Sequence, residues 1–179
     1  VGTQTVLIDN PRPTARNGDG EAEGKQPLRA VMGYRGIPDD AAIHGADGNV
    51  LHLATRDPRE ALDQLFAHGV RHLMVEGGSR ILSAFLAAGL VDELIVYLAP
   101  TLLGSGTAAL DDLGITTLAD AQRWEWDPAS GGAVQVLGRD LRLHLRPAAP
   151  ADEADPAASP TSSDTTPHRT GADTAAGGN

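Results

Sequence analysis

Between Asp57 and Leu98 the chain alternates helix and strand signals, each closed by a glycine or proline, and that order restricts it to a layered α/β fold. Asp57 is placed to cap a helix, with Pro58 at its first position and Glu60 three residues after the cap. Leu62, Leu65 and Phe66 form one apolar stripe, and Gly69 supplies the stop. The apolar run from Val70 to Val75 predicts a buried strand. Glu76-Gly77-Gly78-Ser79 then turns the chain into a second helix, whose Ile81, Leu82, Phe85 and Leu86 face a core before Gly89 ends it. Leu94 to Leu98 reads as another hydrophobic strand, closed by Pro100. Upstream, Leu28–Met32 and Val50–Leu53 are short strand candidates. Downstream the pattern changes to period two, with Trp124 and Trp126, Val134 and Val136, then Leu141, Leu143 and Leu145. These signals together predict a three-layer α/β fold with a mixed, mostly parallel sheet and antiparallel closing strands.

Aromatic residues make up only 3% of the chain, so the core is expected to be aliphatic. The formal net charge of −10 argues against a nucleic-acid surface, which needs a basic stripe. No apolar run approaches the roughly 20 residues of a membrane span, and no stretch resembles a secretory leader, so a cytoplasmic location is expected. The absence of cysteine excludes disulfides and thiolate zinc sites. Asn17 to Lys25 is polar and glycine-rich and reads as a surface loop. After Arg146 the composition becomes Ala, Pro, Ser, Thr, Asp and Gly, too poor in bulky apolar groups to offset ordering. A domain over residues 1–146 followed by a disordered, solvated tail over 147–179 is therefore expected. The chain starts on Val1-Gly2-Thr3 without an approach segment, and is read as an N-terminally truncated domain.

Two stretches bear residues suited to chemistry. In Val75-Glu76-Gly77-Gly78-Ser79, a strand passes through two glycines into a helix, whose free N–H groups and positive dipole end suit a phosphate. The same residues also suit a tight turn with Ser79 as the cap. Glu76 ends an apolar strand at the edge where open α/β sheets bind ligands, and can accept hydrogen bonds from a sugar or base. In the second stretch, Thr5 and Asp9 are four apart and share a face on a helical turn. Pro11 and Pro13 stop that helix, and Arg16 follows as a guanidinium able to fork onto a phosphate, or as an ordinary surface arginine. The six histidines are read as surface or strand residues, Asp92-Glu93 as solvated loop acids and the two tryptophans as core or interface, so no metal site is expected.

Thr5-Val6-Leu7-Ile8-Asp9-Asn10-Pro11 with Thr14-x-Arg16 resembles the T-V-x-x-D-x-P-x-x-T-x-R segment of the riboflavin-pathway reductases. Val75-Glu76-Gly77-Gly78, Phe85 through Leu94, Leu98-Ala99-Pro100 and Leu103-Gly104 are similar to later motifs of that family, in order and spacing. The resemblance is to the C-terminal reductase domain of the bifunctional riboflavin-biosynthesis deaminase/reductase. It implies a dihydrofolate-reductase-like fold and NADPH-dependent reduction of 5-amino-6-(5-phosphoribosylamino)uracil to its ribitylamino form. By position it implies cofactor contacts at Thr5, Asp9 and the loop Gly78, Ser79, Arg80, Ile81, Leu82, Ser83 and Ala84. It implies substrate contacts at Arg16, Pro13 and Glu76, and fusion to a zinc deaminase domain whose H-x-E and P-C-x-x-C motifs this chain lacks. Apart from the resemblance, Leu-rich closing strands left exposed would seek a partner, so a homodimer is expected.

The chain departs from that pattern at Gln4, where Gly is frequent, at Pro13, where Leu is frequent, and at Gly33-Tyr34-Arg35, where an Asp-Ser pair is expected. Arg35 there suits the 2′-phosphate of NADPH. Two other functions stay open on sequence: a non-catalytic phosphosugar- or nucleotide-binding fragment, and a reductase of the same fold acting on a related pyrimidinone or a pterin.

Overall fold

A computed structural model describes residues 1–22, 24–128 and 132–149. Strands β1 (Arg29–Met32) and β2 (Val50–Leu53) pair in parallel, with Val31 beside His52 and Met32 beside Leu53. Val1 and Gly2 run along the free side of β1: the Val1 amine donates to Ala30 O at 3.0 Å, and Met32 N donates to Val1 O at 2.9 Å. Gly2 then opens helix α1 (Thr3–Asp9), which Asn10 ends in a left-handed conformation with φ 41°. Asn10 Oδ1 accepts from the amide of Ala42 at 2.7 Å, tying this cap to the 3-10 turn Ala42–His44. Val6 of α1 packs with Val31, Ala41 and Ile43 as one apolar cluster.

Helix α2 (Pro58–Ala67) starts as its sequence predicts, with the Asp57 carboxylate accepting from Arg59 N at 2.8 Å. Glu60 does not complete a capping box; it accepts from the buried hydroxyl of Thr55. The expected stripe needs one correction. Ala61 and Leu65 are buried, but Phe66 is 63% exposed, its ring covered by the Arg71 guanidinium at 4.0 Å. Helix α3 (Ser79–Ala87) adds Phe85 to the main cluster of Met32, Leu53, Ala61 and Leu65.

The segment Val70 to Val75 differs from expectation. Val70, Leu73 and Val75 pack onto that cluster while Met74 is 73% exposed, yet the segment forms no strand ladder. Its apolar pattern reports burial of alternate side chains, which packing alone achieves; a strand also needs a neighbour at hydrogen-bonding distance.

The closing strands form an antiparallel sheet. β6 (Asp140–Pro147) lies between β3 (Leu94–Leu98) on one side and both β4 (Trp124–Trp126) and β5 (Val134–Leu137) on the other. Leu94, Val96 and Leu98 sit opposite Leu145, Leu143 and Leu141, and Val134 and Val136 sit opposite Leu143 and Leu141. Pro147 pairs with Trp124, so the final strand runs one residue past the expected end at 146. Residues 150–179 of the expected tail lie outside the described residues. The α/β class with mixed pairing is as expected, but the expected predominance of parallel pairing is not: among the described residues one ladder is parallel and three are antiparallel, because β3 to β5 all pair with the one strand β6. No helix among the described residues is long and apolar enough to cross a membrane.

Candidate functional site

The carboxyl ends of the parallel strands bring four chain segments to one edge. β1 continues into Gly33-Tyr34-Arg35 and β2 into Ala54-Thr55-Arg56, with Gly33 N donating to Leu53 O at 3.0 Å. The Gly2 end of α1 and the Gly77-Gly78 turn before α3 complete the edge. A Cβ built on Gly77 would lie 3.9 Å from Val1 Cα and 4.0 Å from Gly2 N, and one built on Gly2 would lie 3.2 Å from the tip of Ile81. Glu76 is exposed beside this junction. The Val1 amine reports its proximity: burial lowers the amine's pKa, and the Glu76 charge partly offsets that by raising it.

The two glycines of the turn are not required by the fold. Neither Gly77 nor Gly78 has a positive φ; Gly78 sits at −68°. A Cβ on Gly78 would meet nothing within 4 Å, and on Gly77 only ordinary contacts from 3.8 Å outward. The tight-turn explanation therefore loses its physical basis, since an alanine fits at either position. What remains is the open space where a Gly78 Cβ would stand. The helix behind it has Gly78 as N-cap and no side-chain cap bond, so its first amides still point outward. Ser79, expected as the cap in the tight-turn reading, is the first helical residue instead.

Cationic groups stand at the neighbouring strand ends. Arg56 lies over the Tyr34 ring at 5.5 Å, and Arg35 is hydrogen-bonded to Gln4 Oε1 of α1. Gln4, a departure from the family pattern, thus has a defined role in holding Arg35. Arg80, in the first turn of α3, is exposed and 3.9 Å from Asp111. A glycine turn, an uncapped helix end and guanidinium groups on one strand edge fit a phosphate-bearing nucleotide.

Residues 1–130 match the RibD C-terminal domain. The chain belongs to the RibD C-terminal domain family. A riboflavin biosynthesis protein RibD of Mycobacterium tuberculosis is 39% identical over 145 residues, covering 81% of this chain and 41% of that protein. A 2,5-diamino-6-ribosylamino-4(3H)-pyrimidinone 5′-phosphate reductase of Methanothermobacter thermautotrophicus is 34% identical, covering 79% of this chain and 75% of that one. Among solved structures, RibD of Acinetobacter baumannii superposes with a TM-score of 0.66 at 29% identity, over 82% of this chain and 46% of that chain. The chain spans less than half the length of the RibD proteins named here.

In this RibD-type domain the remaining expected site residues are dispersed. Thr5 is half-buried and Asp9 exposed on the same side of α1. Arg16 is exposed and donates to Gly20 O at 2.7 Å, within a loop that also contains half-buried Pro13. No hydrogen bond or ion pair among the described residues joins Arg16 to Glu76. Within the α3 run, Ile81 packs against the core, and the buried Ser83 hydroxyl accepts from Asp111 N at 2.7 Å, so these two side chains serve the fold. Leu82 and Ala84 are half-buried. Gly78, Ser79 and Arg80 are the members of that run at the open helix end.

Sequence reasoning passed over Arg56 and Thr3. Thr3 is buried against Gly33, whose added Cβ would lie 2.6 Å from Thr3 Oγ1. Arg56 carries no motif, and only the pairing of β1 with β2 places it next to Tyr34. His68 and His72 are spaced four apart, as ligands on a helix would be, but Gly69 ends α2 between them. An open groove of about 670 Å³ lies at the opposite, amino end of β1 and β2, lined by Lys25, Gln26, Asn49 and His68. It contains none of the expected site residues.

Proposed function

We propose that this chain is an NADPH-dependent reductase of riboflavin biosynthesis, converting 5-amino-6-(5-phosphoribosylamino)uracil to its ribitylamino form. The observation that carries this reading is the Gly77-Gly78 turn, whose glycines the fold itself does not need, at an uncapped helix end within the RibD C-terminal domain family. The groups present fit the cofactor. The first amides of α3 would hold its pyrophosphate, and Arg56 with Arg35 would hold its 2′-phosphate. Bound there, NADPH supplies the hydride that reduces C1′ of the ring-opened sugar.

The chain's own side chains orient the partners. Thr5 and Asp9 present a polar face of α1 to the cofactor. Glu76 accepts hydrogen bonds from hydroxyl or amino groups of the substrate. Arg16, on leaving Gly20 O, grips the substrate phosphate in fork geometry, with Pro13 bordering it. Such positioning of two reactants lowers the barrier by supplying their alignment in advance. The same reading gives a cytoplasmic homodimer, fused in the longer protein to a zinc deaminase domain.

The archaeal relative supports a second substrate, the diaminopyrimidinone analogue that its name carries. Reduced-nicotinamide oxidation with each pyrimidine tests both. Turnover of the uracil, competitively inhibited by the diaminopyrimidinone, is expected. Turnover of the diaminopyrimidinone alone would move the assignment to that substrate. Cofactor binding without turnover of either would leave the binding-module reading in its place.

A further inference from the structure

Three ligand-type side chains, far apart in sequence, meet in the closing sheet. Glu93 precedes β3, Asp127 follows β4, and His144 lies within β6. One ligand atom from each lies within 4.8 Å of the other two. His144 Nε2 is 3.7 Å from a Glu93 carboxylate oxygen and 3.9 Å from one of Asp127. His144 is only 1% exposed, and neither ring nitrogen has a hydrogen-bond partner. Burying an imidazole with both nitrogens unanswered is costly, and such groups in native proteins call for a specific explanation.

The separations point to what answers it. At 3.7 and 3.9 Å the carboxylates are too distant to accept a hydrogen bond from the ring. Zinc-to-ligand bonds of about 2.0–2.2 Å meeting at a tetrahedral angle place their ligand atoms about 3.4 Å apart, so each carboxylate need approach the imidazole by only a few tenths of an ångström to share an ion with it. Two ligands are already held in register by the backbone. Asp127 N donates to His144 O at 3.0 Å, and His144 N donates to Ala133 O at 2.8 Å. The Glu93 side chain is 56% exposed, which leaves an entry path and a side for water.

We propose that Glu93, Asp127 and His144 form a binding site for one first-row transition dication of the Zn²⁺ type, clipping the start of β3 and the end of β4 to β6. One imidazole with two carboxylates favours such an ion over Mg²⁺ or Ca²⁺, which take oxygen ligands. The site is independent of the reductase reading, since none of its residues belongs to the Gly77-Gly78 edge.

The test is calorimetric titration of the chelator-stripped chain with Zn²⁺, and with Mg²⁺ as control, alongside thermal unfolding. Glu93→Gln, His144→Gln and a His68→Ala/His72→Ala double variant are compared with the parent. Binding of one Zn²⁺ per chain is expected, with a rise in melting temperature, no response to Mg²⁺, and at least tenfold weaker affinity in Glu93→Gln. Should His144→Gln fail to fold, Glu93→Gln carries the test, because its carboxylate is largely solvated. No Zn²⁺ binding by the parent would overturn the proposal. So would binding that survives in Glu93→Gln and disappears in the His68→Ala/His72→Ala variant.

Discussion

An added Cβ at Gly33 would lie 2.6 Å from Thr3 Oγ1, and its φ of +135° is a conformation that other residues rarely adopt. Gly33→Ala is therefore expected to destabilise the chain by about 2 kcal/mol or more, seen as a lowered urea midpoint. Gly78 presents the opposite case, with a φ of −68° and open space where a Cβ would stand. Gly78→Ala is expected to leave the urea midpoint within about 0.5 kcal/mol of the parent while weakening NADPH binding about tenfold or more. A matching loss of stability and binding would return Gly78 to a structural role.

A third residue-scale effect depends on pH. Arg29 is buried and hydrogen-bonds both His44 O and the Asp47 carboxylate. The hydrogen bond from Arg29 is the main cause that holds the Asp47 pKa below 3.8, against a smaller opposing effect of desolvation. A depressed carboxylate pKa contributes stability that is present above the unfolded value and is lost as pH falls through the folded one. Urea midpoints measured downward through pH 3.8 should thus fall less steeply in Asp47→Asn than in the parent, from a lower starting stability at neutral pH. Parallel pH profiles would remove Asp47 from the account.

Among the elements, those with chemical start and stop signals were readable from sequence. Asp57, Pro58 and Gly69 delimit α2, and Gly89 ends α3, because capping is decided within a few residues, although α3 starts at Ser79 rather than being capped by it. Asp57→Ala is expected to cost about 1 kcal/mol by removing the acceptor for Arg59 N, measurable by chemical denaturation. Strand pairing depends on distant neighbours, and this is where the reading failed. Val70–Val75 has the composition of a buried strand but no ladder, and Phe66 has the spacing of a core residue but sits under Arg71 at the surface. The closing strands were readable because period-two alternation survives whichever neighbour each strand finds.

On the scale of the whole molecule, the closing sheet leaves an apolar face. Trp126, Val134, Val136 and Leu98 lie on the same side as the leucines of β6 and are each more than half exposed. Sedimentation of the chain is expected to show a dimer, and Val136→Glu to shift it toward monomer; a monomeric parent would contradict the proposed homodimer. The candidate site was readable only in part for the same reason that the strands were. Glu76 to Arg80 and Thr5 to Asp9 are local motifs, whereas Arg56 joins them through the β1–β2 register, and His144 meets Glu93 and Asp127 through the β6 ladders.

A Gly77-Gly78 edge that holds a phosphorylated nicotinamide dinucleotide with Arg35 and Arg56, as proposed, must separate NADPH from NADH. Equilibrium binding of NADPH and NADH to the 179-residue chain, repeated with Arg56→Ala, tests it most directly. Saturable NADPH binding at least tenfold tighter than NADH is expected, with Arg56→Ala narrowing that gap while leaving NADH affinity unchanged. A folded chain that binds neither dinucleotide, or binds both equally and ignores the loss of Arg56, would contradict it.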